Sequence, residues 1–456
     1  MSTSRYPKYK DSGVQWLREV PDHWLVGKIH SFAKKESGHT PSRQHPEYWE
    51  NCTIPWFTLA DVWQIRSDNV KYVHETKELV SELGLANSSA RLLPAGTVIL
   101  SRTASVGYSA IMGREMATTQ DFVNWICYPQ CRPEFLLYVL RGMRTEFQRL
   151  MMGSTHQTLY MPDIAKLAMS LPPVDEQSTI VRFLDRETDK IDALIAEQEK
   201  LLTLLAEKHQ ATILRAVTRG LNCDVRMKNS GVVWLGQVPV HWVVCTLRRV
   251  LFRIEQGWSP ECINRPADGL EWGVLKAGCL NGGVFNPVEN KALPETLDPV
   301  AALEVLHGDL LMSRASGSPK LVGSVAYVSE PPPRLMLSDK IFRLHPMGWV
   351  LPRFLAAALN SVPLRLQIEA SISGAEGLAN NLPQSSLKDF WIAIPPEQEQ
   401  EDIAAFIETE TTKLNTLKNE VERVIALLSE RRSAVIAAAV TGKIDVRNAV
   451  SQELAA

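Results

Sequence analysis

The amino-acid sequence predicts a mixed α/β protein, built as a tandem duplication of an α/β lobe followed by a long helix. Two matches within the chain support this prediction. Residues 11–24 (DSGVQWLREVPDHW) and 229–242 (NSGVVWLGQVPVHW) are identical at nine of 14 positions without a gap. Residues 171–194 and 394–417 align at a constant offset of 223. Because internal similarity indicates a repeated architecture, the two copies are expected to fold as similar units.

The chain is therefore predicted to run lobe, helix, lobe, helix. The predicted segments are 1–170 for the first lobe, 171–226 for a central helical spacer, 227–393 for the second lobe and 394–456 for a C-terminal helical spacer. The helices and the start of each lobe match well, whereas the rest of the lobes agrees only at scattered places, such as GHTP at 38–41 against GWSP at 257–260. A duplication that keeps its helices while its lobes diverge indicates that the two lobes bind different targets.

Each lobe is predicted to contain several short strands and a closing helix. Apolar runs bounded by Gly, Pro or Ser predict strands at 97–100, 109–112, 122–126, 310–313, 324–328 and 341–344. Residues 132–150 and 351–368 are predicted to form the closing helices, because Pro133 and Pro352 suit a first helical turn.

Two long helices are predicted to follow the lobes. Each follows a Pro-Pro pair, carries acidic residues in its first turn and contains no Pro or Gly before Gly220 or Gly442. A helix of about 45 residues extends roughly 65 Å. The sequence thus predicts two long, uninterrupted helices.

A stripe of apolar residues at 3-4 spacing runs along each long helix and predicts a coiled-coil seam. The predicted helix-pairing residues are Leu184, Ile191, Leu194, Leu201 and Leu205 in the first helix, and Ile407, Leu414, Leu417, Val421, Val424 and Leu428 in the second. Antiparallel pairing of the two helices with each other is the more economical interpretation. Two ordinary amphipathic helices packed on the lobes are the alternative.

Composition indicates an ordinary globular protein. The chain has 45% hydrophobic residues and a net charge of −2, which does not by itself indicate a nucleic-acid ligand. Its polar N-terminal stretch predicts no secretory signal, and no apolar run reaches the ~18 residues of a membrane span. A cytoplasmic location is expected. Among the seven cysteines, Cys127 and Cys131 form the one close pair and have no neighbouring His, so no zinc site is expected.

Recognisable catalytic motifs are absent from the sequence. It contains no GxxxxGK[ST], GxGxxG or HExxH pattern, and no Asn-Pro-Pro-aromatic tetrapeptide. A nuclease-like pattern could begin at Pro21–Asp22, but the second copy has Val240 in place of the acid. No catalytic or metal-binding residue is therefore predicted. The repeated histidines and tryptophans of the lobe starts are interpreted as structural; they are His23, His241, Trp16, Trp24, Trp234 and Trp242.

The lobe–helix order, the SGVxWLxxVPxHW motif at the start of each lobe and the PPxxEQ motif at the start of each helix together resemble one family. It is the specificity (S) subunit of Type I restriction–modification systems. The resemblance implies that each lobe is a target-recognition domain for one half of a split DNA sequence. It also implies that the helices set the gap and dock two modification (adenine N6-methyltransferase) subunits, which restriction subunits then join. No cofactor is expected on this chain, since S-adenosylmethionine, ATP and Mg²⁺ would bind the partner subunits.

Loops rich in small polar residues are the predicted DNA contacts, because base edges are read by such side chains. In the first lobe they are Thr40, Ser42, Arg43, Thr58, Arg102, Thr103, Ser105, Thr119, Gln120, Ser154, His156 and Gln157. In the second lobe they are Ser259, Lys276, Arg314, Ser316, Ser318, Lys320, Lys340, Ser373, Asn380 and Asn381. Arg102 and Arg314 match across the copies and are assigned to phosphate rather than to a base. For any single residue, a solvated loop side chain is the alternative.

Two other functions compete with DNA recognition. The chain could be a coiled-coil scaffold that clamps proteins without reading DNA sequence, or a self-sufficient methyltransferase fusion. The missing catalytic motifs argue against the fusion. Salt-dependent DNA binding by the assembled methyltransferase would separate recognition from a scaffold.

Overall fold

The computed structural model describes residues 4–151, 158–372 and 380–447. It divides the chain into two units: unit 1 contains 1–200 and 422–456, and unit 2 contains 201–421. Each unit thus combines one lobe, the N-terminal part of the helix that follows it and the C-terminal part of the other long helix. The predicted mixed α/β class is confirmed by the mixture of strands and helices in both units.

The first lobe consists of short strands and short helices. Its strands are Tyr9–Asp11, Glu19–Pro21, Leu25–Lys28, Ala33–Ser37, Ile54–Phe57, Tyr72–Val73, Glu78–Val80, Val98–Ser101, Ser109–Met112, Ala117–Thr118, Phe122–Cys127 and Ala168–Leu171. Its α-helices are Glu82–Ala86, Pro133–Gly142, Arg144–Leu150 and Met161–Ile164, and its 3-10 helices are Ile29–Ser31, Pro46–Trp49 and Leu59–Ile65.

The second lobe has a similar make-up. Its strands are Met227–Asn229, Gln237–Pro239, Val243–Thr246, Leu251–Gln256, Gly273–Leu275, Asn290–Ala292, Leu310–Ser313, Ala315–Ser316, Val325–Tyr327, Leu335–Met336, Ile341–Pro346, Asn380–Asn381 and Trp391–Ile394. Its α-helices are Leu247–Val250, Pro352–Leu359, Val362–Ser371 and Gln384–Lys388, and its 3-10 helices are Ala277–Gly283, Ala301–Leu303 and Pro319–Leu321.

A central sheet organises each lobe. The order in unit 1 is Ala33–Ser37, Phe122–Cys127, Val98–Ser101, Ser109–Met112 and Tyr72–Val73, with only the last pair parallel. The order in unit 2 is Leu251–Gln256, Ile341–Pro346, Leu310–Ser313 and Val325–Tyr327, all antiparallel. Strands Val98–Ser101, Ser109–Met112 and Leu310–Ser313 are buried throughout, which explains why each is apolar except for one serine.

The predicted strands of the lobes are all present, and 109–112 and 310–313 have the predicted bounds. The single closing helix predicted in each lobe is wrong, because both are interrupted. The first breaks at Met143, directly after Gly142, whose backbone entropy weakens a helix. The second breaks at Asn360 and Ser361, and a new helix then starts at Val362 with Pro363 in its first turn.

The two ends of each lobe pair with each other. Strand Leu25–Lys28 lies antiparallel to Ala168–Leu171, and strand Val243–Thr246 lies antiparallel to Trp391–Ile394. Each long helix begins shortly after the second strand of such a pair. The start of the lobe therefore lies beside the start of its helix.

The first long helix is Val174–Arg219 and the second is Glu397–Val440. Both begin directly after the Pro-Pro pair, since proline cannot donate the backbone hydrogen bond of a helix interior. Both end near a glycine in the left-handed region, Gly220 (φ +73°) or Gly442 (φ +71°), which is the usual conformation just beyond a helix C-terminus. As predicted, each helix begins after its Pro-Pro pair and runs without a break to near Gly220 or Gly442.

Segments of the two long helices lie side by side within each unit. In unit 1 the Arg432 guanidinium donates to the Asp192 carboxylate at 2.8 and 3.1 Å. Ser170, in the strand just before the first helix, donates to the Val440 carbonyl at the end of the second helix at 3.1 Å. Residues later in the first segment therefore contact residues earlier in the second, so the two segments of unit 1 run antiparallel.

The helix segments of unit 2 have the same relation. The His209 imidazole lies 2.9 Å from the Thr411 hydroxyl. At the end of the first helix, a Cβ added to Gly220 would lie 2.7 Å from the Glu399 carboxylate, near the start of the second helix. Here too, the later residue of the first segment lies beside the earlier residue of the second, so these segments also run antiparallel.

Only part of the predicted seam is buried. Leu184, Ile191, Ile407, Leu414 and Val421 are buried, and Leu205 and Leu428 are half-buried. The assignment is wrong for Leu194, Leu201, Leu417 and Val424, which are 40–47% exposed. Covered positions lie four residues after Leu184, Ile191, Ile407 and Val421, at Thr188, Ile195, Thr411 and Ile425. Leu202, His209 and Arg432 are further covered positions that the predicted seam did not include. Polar pairs such as Arg432–Asp192 occupy places that the apolar pattern did not predict.

Within the described residues, no helix is both long enough and apolar enough to cross a membrane.

Candidate nucleic-acid interface

A buried carboxylate joins the first lobe to its long helix. The His23 imidazole lies 2.8 Å from Glu176 Oε2, Trp24 Nε1 donates to Glu176 Oε1 at 3.1 Å and the Tyr6 hydroxyl donates to the same oxygen at 2.6 Å. Burial, together with the bond to this carboxylate, raises the pKa of Tyr6. The His-Trp pair of the repeated motif therefore binds the lobe to the start of its long helix.

The second lobe is joined to its helix in the same way. The His241 imidazole lies 2.7 Å from the Glu399 carboxylate, and Trp242 Nε1 donates to it at 3.1 Å. The structural interpretation of both histidines and of Trp24 and Trp242 agrees with these contacts. Sequence reasoning missed the glutamates, although the HW and EQ pairs recur together in both copies.

The glutamine of each EQ pair fixes the turn before the closing helix. Gln177 accepts from the Arg132 backbone N–H at 2.8 Å and donates to the Gln130 and Pro172 carbonyls, both at 2.8 Å. In unit 2, Gln400 accepts from the Leu351 N–H at 2.8 Å. The PPxxEQ motif thus carries side chains that set where its lobe lies on its helix.

Three of the predicted loops meet at one place in the first lobe. Thr40 Oγ1 donates to Gln120 Oε1 at 2.7 Å, and Arg102 Nε donates to the Gln120 carbonyl at 2.9 Å. A Cβ added to Gly38 would collide with the Thr118 carbonyl oxygen, so the GHTP loop needs glycine to approach this closely. Loops separated by up to 80 residues thereby converge on Gln120.

The second lobe repeats this arrangement at matched positions. Ser259 Oγ donates to Asp339 Oδ1 at 2.5 Å, and Arg314 Nη1 donates to the Asp339 carbonyl at 3.1 Å. A Cβ on Gly257 would collide with the Leu337 carbonyl oxygen. We call these places the loop junctions: Thr40, Arg102 and Gln120 in the first lobe, and Ser259, Arg314 and Asp339 in the second.

The two matched arginines hold the junctions through backbone carbonyls. Besides the Gln120 carbonyl, Arg102 reaches the Leu159 carbonyl through Nη1 at 3.3 Å. The Arg314 guanidinium also lies over the Phe342 ring, 5.9 Å from its centroid. These donors position the loops, and the assignment of both arginines to phosphate stays a prediction.

The other predicted residues of the first lobe lie in varied surroundings. Thr58 is buried and its hydroxyl donates to Asp61 in a helix cap, so a role in base contact is wrong. Thr119 is also buried, and it donates to Asp121 at 3.0 Å. Arg43 is exposed, donates to Glu78 at 3.1 Å and lies over a tryptophan ring. Ser42 is exposed in the same loop, Thr103 pairs with Thr158, and Ser105 lines a cavity of about 460 Å³ with Arg66 and Arg144.

The second lobe places its remaining predicted residues around the same junction or farther away. Ser316 pairs with Asn380 and Ala315 with Asn381, so this short ladder lies next to Arg314. Lys340 Nζ lies 3.5 Å from Asp339 Oδ2. Lys276 precedes the 3-10 helix Ala277–Gly283 and pairs with Glu289 at 3.7 Å; Ser318 and Lys320 lie at the 3-10 helix Pro319–Leu321. Ser154, His156, Gln157 and Ser373 lie outside the described residues.

Known proteins resemble this chain in both sequence and fold. Residues 21–203 match the family model described as the Type I restriction modification DNA specificity domain. The Type I restriction enzyme EcoEI specificity subunit of Escherichia coli is 31% identical over 188 residues, which cover 41% of this chain and 32% of that protein. The EcoKI specificity subunit of E. coli K12 is 20% identical over 451 residues, covering 93% and 90%.

A third relative and a solved structure are also similar to this chain. The Type I restriction enzyme MjaIX specificity subunit of Methanocaldococcus jannaschii is 28% identical over 193 residues, 42% of this chain and 44% of that protein. The EcoEI and MjaIX matches therefore span less than half of those proteins. A chain from a solved type I R-M system shares the fold, with a TM-score of 0.62 at 18% identity over 92% of this chain and 98% of that chain. The resemblance drawn from the two repeated motifs is confirmed.

Proposed function

We propose that this chain, a member of the Type I restriction–modification specificity-subunit family, is the DNA sequence-recognition subunit of such a complex. Each lobe would bind one half of a bipartite target. The loop junctions carry this proposal: both lobes build the same framework, but they place Gln120 in one and Asp339 in the other. A conserved framework with different side chains suits two lobes that read different bases.

The long helices are proposed to form an antiparallel coiled-coil spacer that fixes the gap between the half-sites. Their uninterrupted lengths of 46 and 44 residues support a rigid spacer, since recognition elements on one face of DNA must be a set distance apart. Inserting residues into such a spacer would alter the gap without altering the half-sites.

The helices are also proposed to dock two modification subunits. Apolar residues at matched positions are 40–54% exposed in both helices, and large exposed apolar patches mark interaction surfaces. These matched pairs are Leu194 with Leu417, Leu201 with Val424, and Leu204 with Leu427. We propose that the chain itself is non-catalytic, that restriction subunits join the complex and that S-adenosylmethionine, ATP and Mg²⁺ bind the partners. Since the proposed ligand is cellular DNA, a cytoplasmic site of action is proposed as well.

Methylation mapping tests the proposal most directly. N6-methyladenine would be mapped in the host genome with the gene present and deleted. Loss of one split motif on deletion supports DNA recognition, whereas an unchanged map contradicts it. Binding of the assembled methyltransferase to duplex DNA should also weaken steeply with salt, and absent or salt-insensitive binding would favour a protein scaffold.

A further inference from the structure

We propose that Gln120 and Asp339 are base-reading residues, with Gln120 matched to adenine in one half-site and Asp339 to the amino group of cytosine in the other. This inference rests on the proposed function and deepens it. It starts from one observation: the two lobes place chemically different side chains at the same position of the same framework.

The framework holds each side chain in advance of binding. The loop bearing Gln120 is held by Arg102 through its carbonyl, and the amide oxygen is held by Thr40. Arg314 and Ser259 do the same for Asp339. A polar side chain fixed in this way loses little conformational entropy on binding, which favours selective hydrogen bonding. The flanking arginines thus act as positioning residues.

The hydrogen-bonding capacity left at the two positions differs. Gln120 is exposed, and within the described ranges its Nε2 has no partner, so the amide offers two N–H donors and the second lone pair of Oε1. An amide of this kind matches adenine, which presents the N7 acceptor beside the N6 donor in the major groove.

Asp339 offers acceptors only. One carboxylate oxygen accepts from Ser259, and the other lies 3.5 Å from Lys340 Nζ. An ionised carboxylate near DNA is repelled by phosphates, so it fits a base that donates a hydrogen bond, and the N4 amino group of cytosine is the matching donor. The adjacent lysine offsets the negative charge as the lobe approaches the DNA.

Two substitutions test these assignments without removing the framework. Gln120→Glu and Asp339→Asn each keep the oxygen that accepts from Thr40 or Ser259 but exchange donor and acceptor capacity. The variant chains would be assembled with the modification subunits, and methylation would be mapped on a genome and on an oligonucleotide library randomised at each half-site position. Gln130→Glu, beyond the far end of strand Phe122–Cys127, and Asp298→Asn are the matched controls at exposed positions.

The expected result is local. Each variant should lower preference for one base at one position of one half-site by about tenfold or more, which is the usual scale of a single base contact. The gap, the other half-site and both controls should keep the wild-type preference. A wild-type motif that persists at every position in both variants overturns the assignment, as does a uniform loss of methylation over all bases. A wild-type complex with no bipartite motif instead contradicts the proposed function.

Discussion

At the scale of single residues, the carboxylates of the EQ pairs explain why the His-Trp motif occurs at the start of each lobe. Glu176 is buried, and three ring or hydroxyl groups of the first lobe bond to it. Glu399 is more exposed, with 24% of its side chain accessible, and two groups of the second lobe bond to it. The same motif is therefore buried to different depths in the two units.

Replacing the buried carboxylate should destabilise unit 1. We expect Glu176→Ala to lower the free energy of unfolding by about 2–3 kcal/mol, because the buried Trp24 N–H and the Tyr6 hydroxyl lose their acceptor. Urea unfolding of the full chain, followed by circular dichroism and limited proteolysis of each unit, measures the change. Glu399→Ala is the matched control, and its loss should be smaller, about 1 kcal/mol. Equal losses in the two variants would contradict the role given to burial.

At the scale of elements, the helix segments of unit 1 are joined by a charged pair rather than by leucines alone. Arg432 is buried, donates to both oxygens of Asp192 and also donates to the Asp68 carbonyl at 3.0 Å. Asp68 in turn pairs with Arg141 and Arg144 of the lobe. This network ties the loop around Asp68 to the long helices.

Removing the Arg432 guanidinium should destabilise unit 1. We expect Arg432→Met to lower the free energy of unfolding by about 2–3 kcal/mol, since it leaves a half-buried carboxylate and a buried carbonyl without their donor. Thermal and urea unfolding measure the effect. Arg353→Met, which removes the exposed pair with Glu408, should change stability by less than about 1 kcal/mol. A neutral Arg432 variant would show that the helix contact does not depend on this pair.

The exposed apolar residues of the long helices give a second prediction at this scale. Leu194→Lys and Leu417→Lys should preserve stability within about 1 kcal/mol, because both side chains are already over 40% exposed. They should weaken association with modification subunits by at least tenfold if these residues form the proposed docking surface, as measured by calorimetric titration. Asp189→Lys, at an exposed polar position on another face of the first helix, is the charge control. Unchanged association in both leucine variants would exclude these residues from the interface.

At the scale of the whole molecule, the proposed spacer predicts how the target depends on helix length. Adding one four-residue turn to both long helices lengthens each by about 6 Å, close to two base-pair steps. The methylated motif should then gain about two base pairs in its gap while both half-sites keep their sequences. Motif mapping by N6-methyladenine sequencing measures this. An altered half-site with an unaltered gap would contradict the assignment of the helices as the spacer.

Local sequence patterns were sufficient for much of the architecture. Periodicity, proline stops and acidic first turns predicted both long helices and where each begins, and apolar runs located strands such as Ser109–Met112 and Leu310–Ser313. These features depend on backbone geometry and on neighbours close in the chain, so the sequence carries them directly. The repeated motifs also showed the resemblance to Type I specificity subunits before any contact was known.

The tertiary structure decided how individual side chains are used. Arg102 and Arg314 matched across the copies, but only the fold shows that they bind loop carbonyls, because their partners lie many residues away. Leu194 fits a seam by spacing, yet it lies on the exposed side of its helix. Apolar periodicity restricts which face is covered but does not select between neighbouring stripes, since the packing partners make that choice. What the sequence alone determined is the order of lobes and helices; which polar groups remain available to a ligand depends on contacts between distant segments.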